Sequence, residues 1–131
     1  MPDLEKELRA RRERGRKLLI PYLMGGMTDD WVQTLEAVVD AGADAVEVGI
    51  PFSDPMIDGP VIQQAGLHAL GRGTVPDEVL DGIARADLSV PMVVMTYYNI
   101  VFRAGHKRMA RSLASAGVSG AIVAWIRDPP G

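Results

Sequence analysis

Glu47 and Asp58 are the two residues of this sequence best suited by type and setting to proton-transfer chemistry. Glu47 lies within 44–50, an apolar run that reads as a buried strand of a parallel sheet. Side chains alternate along a strand, so Glu47 shares one face with the small residues Ala45 and Gly49. An ionised carboxylate on that face costs free energy unless it is hydrogen-bonded. Such a group is suited to act as a general acid or base.

Asp58 follows in a loop that prolines stiffen, because proline fixes φ and narrows the unfolded ensemble. These prolines are Pro51, Pro55 and Pro60. From the residues alone, two plainer interpretations stay open. Glu47 is then a structural acid paired with a Lys or Arg, and Asp58 with Gly59 forms an ordinary turn.

The composition predicts one soluble, cytoplasmic domain. The chain has 131 residues, is 47% hydrophobic and carries a net charge of −3, so neither nucleic acid nor a membrane is expected as a partner. It has no cysteine, which excludes disulfides and thiolate metal sites. The apolar run 18–24 is too short to cross a bilayer. His68 and His106 have no second ligand at metal spacing, so no metal site is predicted.

The hydrophobic pattern predicts strands that alternate with helices. A charged helix is predicted over residues 1–17, with Leu4 and Leu8 as a thin apolar stripe. Strands are predicted over 18–23, 44–50, 92–97 and 120–125, with helices in the segments between them. Connections this short imply parallel strands and right-handed crossovers.

Two α/β architectures fit this order, a small doubly wound sheet and part of a (β/α)8 barrel. The first strand lacks a Gly-rich dinucleotide fingerprint after it. The polar residues follow the C-terminal ends of the strands, where TIM-barrel enzymes keep their sites. A full barrel needs about 250 residues, so we predict a single partial TIM-barrel domain over residues 1–131, with about the first four β/α units. Open sheet edges in a half barrel predict dimerisation or aggregation.

The segment 47–55 (EVGIPFSDP), continued by Asp58-Gly59-Pro60 and Ile62-Gln63, resembles the signature of the tryptophan synthase α subunit family. The segment 97–102 (YYNIVF) resembles the Tyr-x-Asn-x-x-Phe segment that follows the third strand of that family. The resemblance covers about residues 10 to 123. It implies the N-terminal half of an α chain and therefore a TIM barrel.

The resemblance also implies an activity, the cleavage of indole-3-glycerol phosphate to indole and glyceraldehyde 3-phosphate. Glu47 would carry the proton to the indole ring, and Asp58 would bind the indole N–H. Tyr97 and Tyr22 would bind the substrate. The α subunit needs no cofactor, because pyridoxal phosphate belongs to the β subunit with which it forms an α-β-β-α heterotetramer.

Pro51 and Asp54 would face that β subunit, although Asp54 could equally cap the helix that follows the loop. The chain departs from the family after its fourth strand, where Pro-Asp-Leu-Pro is usual. An atypical tail, 124–131, replaces it, with Trp125 at the position of the family's acid. This tail reflects either a shifted strand or a disrupted reading frame. The glycine-rich phosphate loops of the later strands are missing from the sequence, so the alternative is a truncated, non-catalytic fragment that at most binds a partner.

Overall fold

A computed structural model describes residues 3–125, which form one four-stranded sheet with helices around it. The elements in chain order are α1 (Leu4–Glu13), β1 (Tyr22–Met24), α2 (Trp31–Asp40), β2 (Val46–Gly49), α3 (Pro60–Gly71), α4 (Pro76–Ala86), β3 (Met92–Tyr97), α5 (Tyr98–Ala104), α6 (His106–Ser115) and β4 (Gly120–Ala124). All neighbouring strands are parallel, in the order β1-β2-β3-β4. The alternating pattern in the sequence therefore predicted the sheet correctly.

Several element boundaries differ from the sequence-based prediction. β1 begins at Tyr22 rather than at residue 18. Pro21 has no N–H to donate to a sheet, although its carbonyl accepts a hydrogen bond from Glu47 N at 2.9 Å. Regular pairing with β2 therefore starts at Tyr22. The segment between β3 and β4 holds two helices, and the first of them, α5, follows β3 directly. Seven residues are too few for a helical period to be visible.

The outer face of β2 carries the hydrophobic core. Val46, Val48 and Ile50 are buried against α2 and α4, whose main contributors to this core are Trp31, Leu35, Val79 and Ile83. Trp31 and Leu35 lie four positions apart on one side of α2, and both are buried. Because side chains alternate along a strand, β2 must present Glu47 and Gly49 on the opposite, inner face of the sheet.

The N-terminal end of the sheet is fixed by the carboxylate of Asp44, which is only 1% exposed. It accepts a hydrogen bond from Leu19 N at 2.8 Å and forms salt bridges with Arg11 at 3.0 Å and Arg16 at 2.7 Å. These contacts tie α1 and the segment before β1 to the start of β2. They therefore set the height of β1 relative to β2, on which the positions of the site residues depend.

The helix predicted over 1–17 is shorter in the structure, ending at Glu13, and Gly15 follows with a φ of +78°. The tail predicted as atypical begins inside β4, which ends at Ala124. Residues 126–131 lie outside the described residues. No helix within 3–125 is long and apolar enough to cross a membrane.

Candidate active site

Glu47 lies in the middle of β2, on the inner face of the sheet. Its cross-strand partners are Tyr22 on β1 and Val93 on β3, and partners in register project to the same face. The neighbours Ala45 and Gly49 are buried, whereas Glu47 itself is half-buried. The carboxylate is therefore at the wall of the open inner surface, where a substrate can reach it.

Gly49 leaves room for the Tyr22 side chain to cross from β1 over β2. A Cβ atom at Gly49 would overlap the Tyr22 hydroxyl and would lie 2.7 Å from its ring carbon Cζ. The absence of a side chain at Gly49 thus determines where the Tyr22 hydroxyl lies. That position is two residues further along β2 than Glu47, towards the C-terminal end of the strand.

The loop that carries Asp58 is folded back on itself by backbone bonds. Asp58 N donates to Pro55 O at 3.2 Å, which closes a turn. The Gln63 side-chain amide, on the first turns of α3, donates to the carbonyls of Pro55 at 3.2 Å and Asp58 at 2.8 Å. Gln63 therefore holds both ends of this turn and fixes the position of Asp58.

Tyr97, the last residue of β3, holds the loop from the other side. Its hydroxyl accepts a hydrogen bond from Ile57 N at 3.3 Å, and its ring stacks on Phe52 with centroids 4.9 Å apart. Tyr97 is buried. Burial raises the pKa of its hydroxyl, the Ile57 N–H opposes that rise, and the nearby Asp58 side chain adds to it. The Asp58 turn thus rests against the end of β3.

Tyr22 links these groups, because it is the register partner of Glu47 on the neighbouring strand. Burial raises the pKa of Tyr22 above its ordinary value of 10.0, and the charges of Asp58 and Glu47 raise it further, with a contribution from Tyr97. Charges act strongly only at short range in a partly desolvated site. The structure therefore places Glu47, Asp58 and Tyr97 around the phenol of Tyr22, which stays protonated at neutral pH.

This arrangement offers two carboxylates, one on a strand and one on a braced loop, beside aromatic walls. One carboxyl group can exchange a proton with a bound molecule while the other stabilises positive charge on it. Tyr22 and Tyr97 supply flat, largely apolar surface with polar tips, which suits an aromatic ligand bearing an N–H.

The two residues predicted to face a partner, Pro51 and Asp54, differ in their exposure to solvent. Pro51 is buried within the chain, whereas Asp54 is exposed. The helix cap proposed as an alternative role for Asp54 is wrong, because Gly59 is the N-cap of α3. Beyond Asp54 the loop exposes Met56, at 74%, and Ile57, at 52%. Across residues 3–125, no three His, Asp or Glu side chains are grouped as metal ligands.

The family model for the tryptophan synthase alpha chain matches residues 8–129. The chain belongs to this family. The alpha chain of Halorhodospira halophila is 44% identical over 127 residues, a match that spans 93% of this chain and 46% of that one. The alpha chain of Carboxydothermus hydrogenoformans is 48% identical over 120 residues, which are 86% of this chain and 44% of that one.

Solved structures agree with the family assignment. The tryptophan synthase alpha subunit of Legionella pneumophila superposes with a TM-score of 0.87 at 35% identity, over 94% of this chain and 49% of that one. A protein from Aquifex aeolicus superposes with a TM-score of 0.89 at 33% identity, over 97% of this chain and 52% of that one. The fold is therefore a partial TIM barrel, as predicted, and the chain spans about half the length of the alpha chains it matches.

Sequence reasoning assigned no role to Gln63 or Phe52, although both lie in the signature segment. Gln63 was detectable in principle, because a polar residue in the first turns of a helix after a proline-rich loop can reach back to loop carbonyls. The stacking of Phe52 on Tyr97 joins residues 45 positions apart. No local pattern contains that information.

Proposed function

We propose that this chain supplies the acid-bearing half of the active site of an alpha-chain lyase, which cleaves indole-3-glycerol phosphate to indole and glyceraldehyde 3-phosphate. The observation that supports this proposal is that Glu47 is in register with Tyr22 on the inner face of the sheet, while Tyr97 at the end of β3 holds the turn that carries Asp58. The reaction needs a proton donor and a fixed anion around one aromatic ring, and this placement supports those roles for Glu47 and Asp58.

In the proposed reaction, Glu47 delivers a proton to the ring carbon that bears the glycerol phosphate side chain. Positive charge then builds on the indole nitrogen, and Asp58 accepts a hydrogen bond from its N–H and stabilises that charge. Glu47, now a carboxylate, accepts the proton of the adjacent side-chain hydroxyl as the aldehyde forms, the carbon–carbon bond breaks, and its electron pair returns to the ring. Tyr22 and Tyr97 hold the plane of the indole between them.

The same proposal extends to the partner. One solved relative is a tryptophan synthase from Mycobacterium tuberculosis in an aminoacrylate- and BRD0059-bound form, and its matching chain is 38% identical. We propose that the exposed loop around Asp54 contacts a β subunit, with Pro51 beneath it supporting the loop. The alpha chain itself then needs no cofactor, since pyridoxal phosphate belongs to the β subunit. A cytoplasmic location fits a biosynthetic enzyme of this kind.

A second candidate is a non-catalytic fragment that at most binds a partner. The observation that favours it is length, since the matched region is 44–46% of the two alpha chains compared above. The sequence also contains no glycine-rich phosphate loops of the kind found after the later strands of such barrels. Substrate held by its indole end alone would bind weakly and in several orientations.

Indole release from indole-3-glycerol phosphate distinguishes the two candidates. The assay compares wild type, Glu47→Gln and, as a matched control, Glu78→Gln on the exposed side of α4, each with and without a C-terminal alpha-chain half from Carboxydothermus hydrogenoformans. We expect turnover only with the added half, lost by about a hundredfold or more in Glu47→Gln and unchanged in Glu78→Gln. Equal turnover in the two variants would refute the role of Glu47. No turnover in any mixture that forms a complex would favour the non-catalytic candidate.

A further inference from the structure

A cavity separate from the candidate active site opens at the C-terminal end of β2 and β3. It has a volume of about 550 Å³ and is bounded by the loop after β2, the turn between α3 and α4, and the helices α5 and α6. None of Tyr22, Glu47, Asp58 and Tyr97 lines it. Protein sites for small molecules have volumes of about 300–1,000 Å³, so the cavity has room for a small organic ligand.

The walls of the cavity are mainly apolar and include a thioether and an aromatic ring. Leu80 on α4 and Met109 on α6 are wall residues with an exposure of 5% each. Phe52, in the loop after β2, contributes a half-buried ring. A thioether and an aromatic ring both gain from contact with a further aromatic ring, beyond the area that the contact buries. The walls therefore favour a ligand with an aromatic body.

Two arginines give the lining a site for an anion. Arg103 lies in the last turn of α5 and Arg108 in the first turn of α6. In the part of the chain that the structure describes, neither side chain forms a salt bridge. An arginine side chain binds a carboxylate through two parallel N–H···O hydrogen bonds, so a ligand carboxylate is a suitable partner for this pair.

The acidic side chains near the cavity leave its positive charge in excess. Asp77 also lines the cavity, but it forms no salt bridge with Arg103 or Arg108. It lies in the first turn of α4, where the helix dipole favours a negative charge. Residues 88–125 contain no Asp or Glu, so α5 and α6 bring only basic charged side chains to the cavity.

These features favour one class of ligand over its two nearest alternatives. A fully polar anion such as inorganic phosphate would leave the apolar walls in contact with water, and a neutral aromatic molecule would leave the arginines unused. We infer that the cavity is a binding site for a small aromatic carboxylate, whose ring packs against Phe52 and Met109 and whose carboxylate binds Arg103 and Arg108. This inference goes beyond the proposed lyase activity and does not depend on it.

An NMR titration of the full chain, isotopically labelled at its methionine methyl groups, tests the inference with hydrocinnamate as the probe. The Met109 methyl signal, identified by its loss in Met109→Leu, should shift upfield and saturate, because the ring current of a packed aromatic group shields it. The Met56 methyl signal is the internal control and should not move, because Met56 is 74% exposed on the loop before α3 and does not line the cavity.

Matched probes and variants separate the two parts of the site. Hydrocinnamamide, the neutral analogue, should bind more weakly than hydrocinnamate. Arg103→Gln and Arg108→Gln should each weaken the binding of hydrocinnamate by about two- to fivefold, the range of an exposed ion pair, and leave that of the amide unchanged. Arg85→Gln is the control, because Arg85 is exposed on α4 and does not line the cavity. Circular dichroism establishes that each variant is folded.

Three results would overturn the inference: a Met109 signal that does not saturate, equal affinities for the acid and its amide, or an unchanged affinity in both arginine variants. Cyclohexanepropionate, an acid of similar size without an aromatic ring, should bind more weakly than hydrocinnamate. Equal binding of these two acids would refute the aromatic character assigned to the ligand.

Discussion

Gly82, at the centre of α4, offers a quantitative test of how β2 is supported. α2 and α4 cover the outer face of β2, and Gly82 lies where the two helices meet. A Cβ atom at Gly82 would overlap the ring of Trp31, which is itself buried. We therefore expect Gly82→Ala to destabilise the chain, although alanine is the better helix former.

Two opposing effects set the magnitude. Replacing glycine by alanine inside a helix gains about 0.8–1 kcal/mol. Overpacking a rigid, buried contact costs about 1–3 kcal/mol, and the planar indole of Trp31 has little freedom to yield. The balance is a net loss of up to about 2 kcal/mol for Gly82→Ala, which corresponds to a fall in Tm of up to several degrees.

Gly66→Ala in α3 is the matched control. Gly66 is also buried inside a helix, but its nearest neighbour, Met24 Cε, would be 3.5 Å from the new Cβ, an ordinary contact. The helix-propensity gain then stands alone, so Gly66→Ala should stabilise by about 0.5–1 kcal/mol. The two variants have the same chemical change and opposite expected signs.

Urea unfolding followed by far-UV circular dichroism measures both variants against wild type. A third comparison, Gly82→Ala in a Trp31→Leu background, should turn the substitution from destabilising to neutral or stabilising, because the overlapping ring is gone. The reasoning would be refuted if Gly82→Ala were as stabilising as Gly66→Ala in the wild-type background, or if its cost persisted without Trp31.

Two further predictions concern ionisable groups. The Leu19 N–H and the side chains of Arg11 and Arg16 lower the pKa of Asp44, although burial opposes this. The ionised Asp44 carboxylate therefore stabilises the fold above pH 3.8, and this stabilisation is lost as the pH falls through the pKa of Asp44 in the folded chain. The Tm deficit of Asp44→Asn relative to wild type should therefore shrink in acid, and a pH-independent deficit would contradict this. Because burial and two carboxylates raise the pKa of Tyr22, its phenolate should form above pH 10.0 in an absorbance titration, and Glu47→Gln should shift that step downwards. Ionisation of Tyr22 at its ordinary pKa, with circular dichroism unchanged, would show that the three groups are not close.

Local pattern was sufficient for the alternation of strands and helices and for the two faces of β2. Val46, Val48 and Ile50 occupy alternate positions on one face, so Glu47 had to lie on the other. The family signature was also local, since it is a contiguous run from 47 to 63. These features depend on residues a few positions apart, whose geometry secondary structure fixes by itself.

The assembled site was decided by contacts between distant segments. The Tyr97 hydroxyl accepts a hydrogen bond from the backbone N–H of Ile57, which lies 40 positions earlier in the chain. The Tyr22 hydroxyl lies over Gly49 only because β1 and β2 pair in one register. Asp44 fixes the heights of these strands through Arg11, Arg16 and Leu19. No periodicity encodes such pairings, because they depend on which segments the fold packs together. The sequence by itself determined which groups could do the chemistry, and the tertiary structure decided which of them meet.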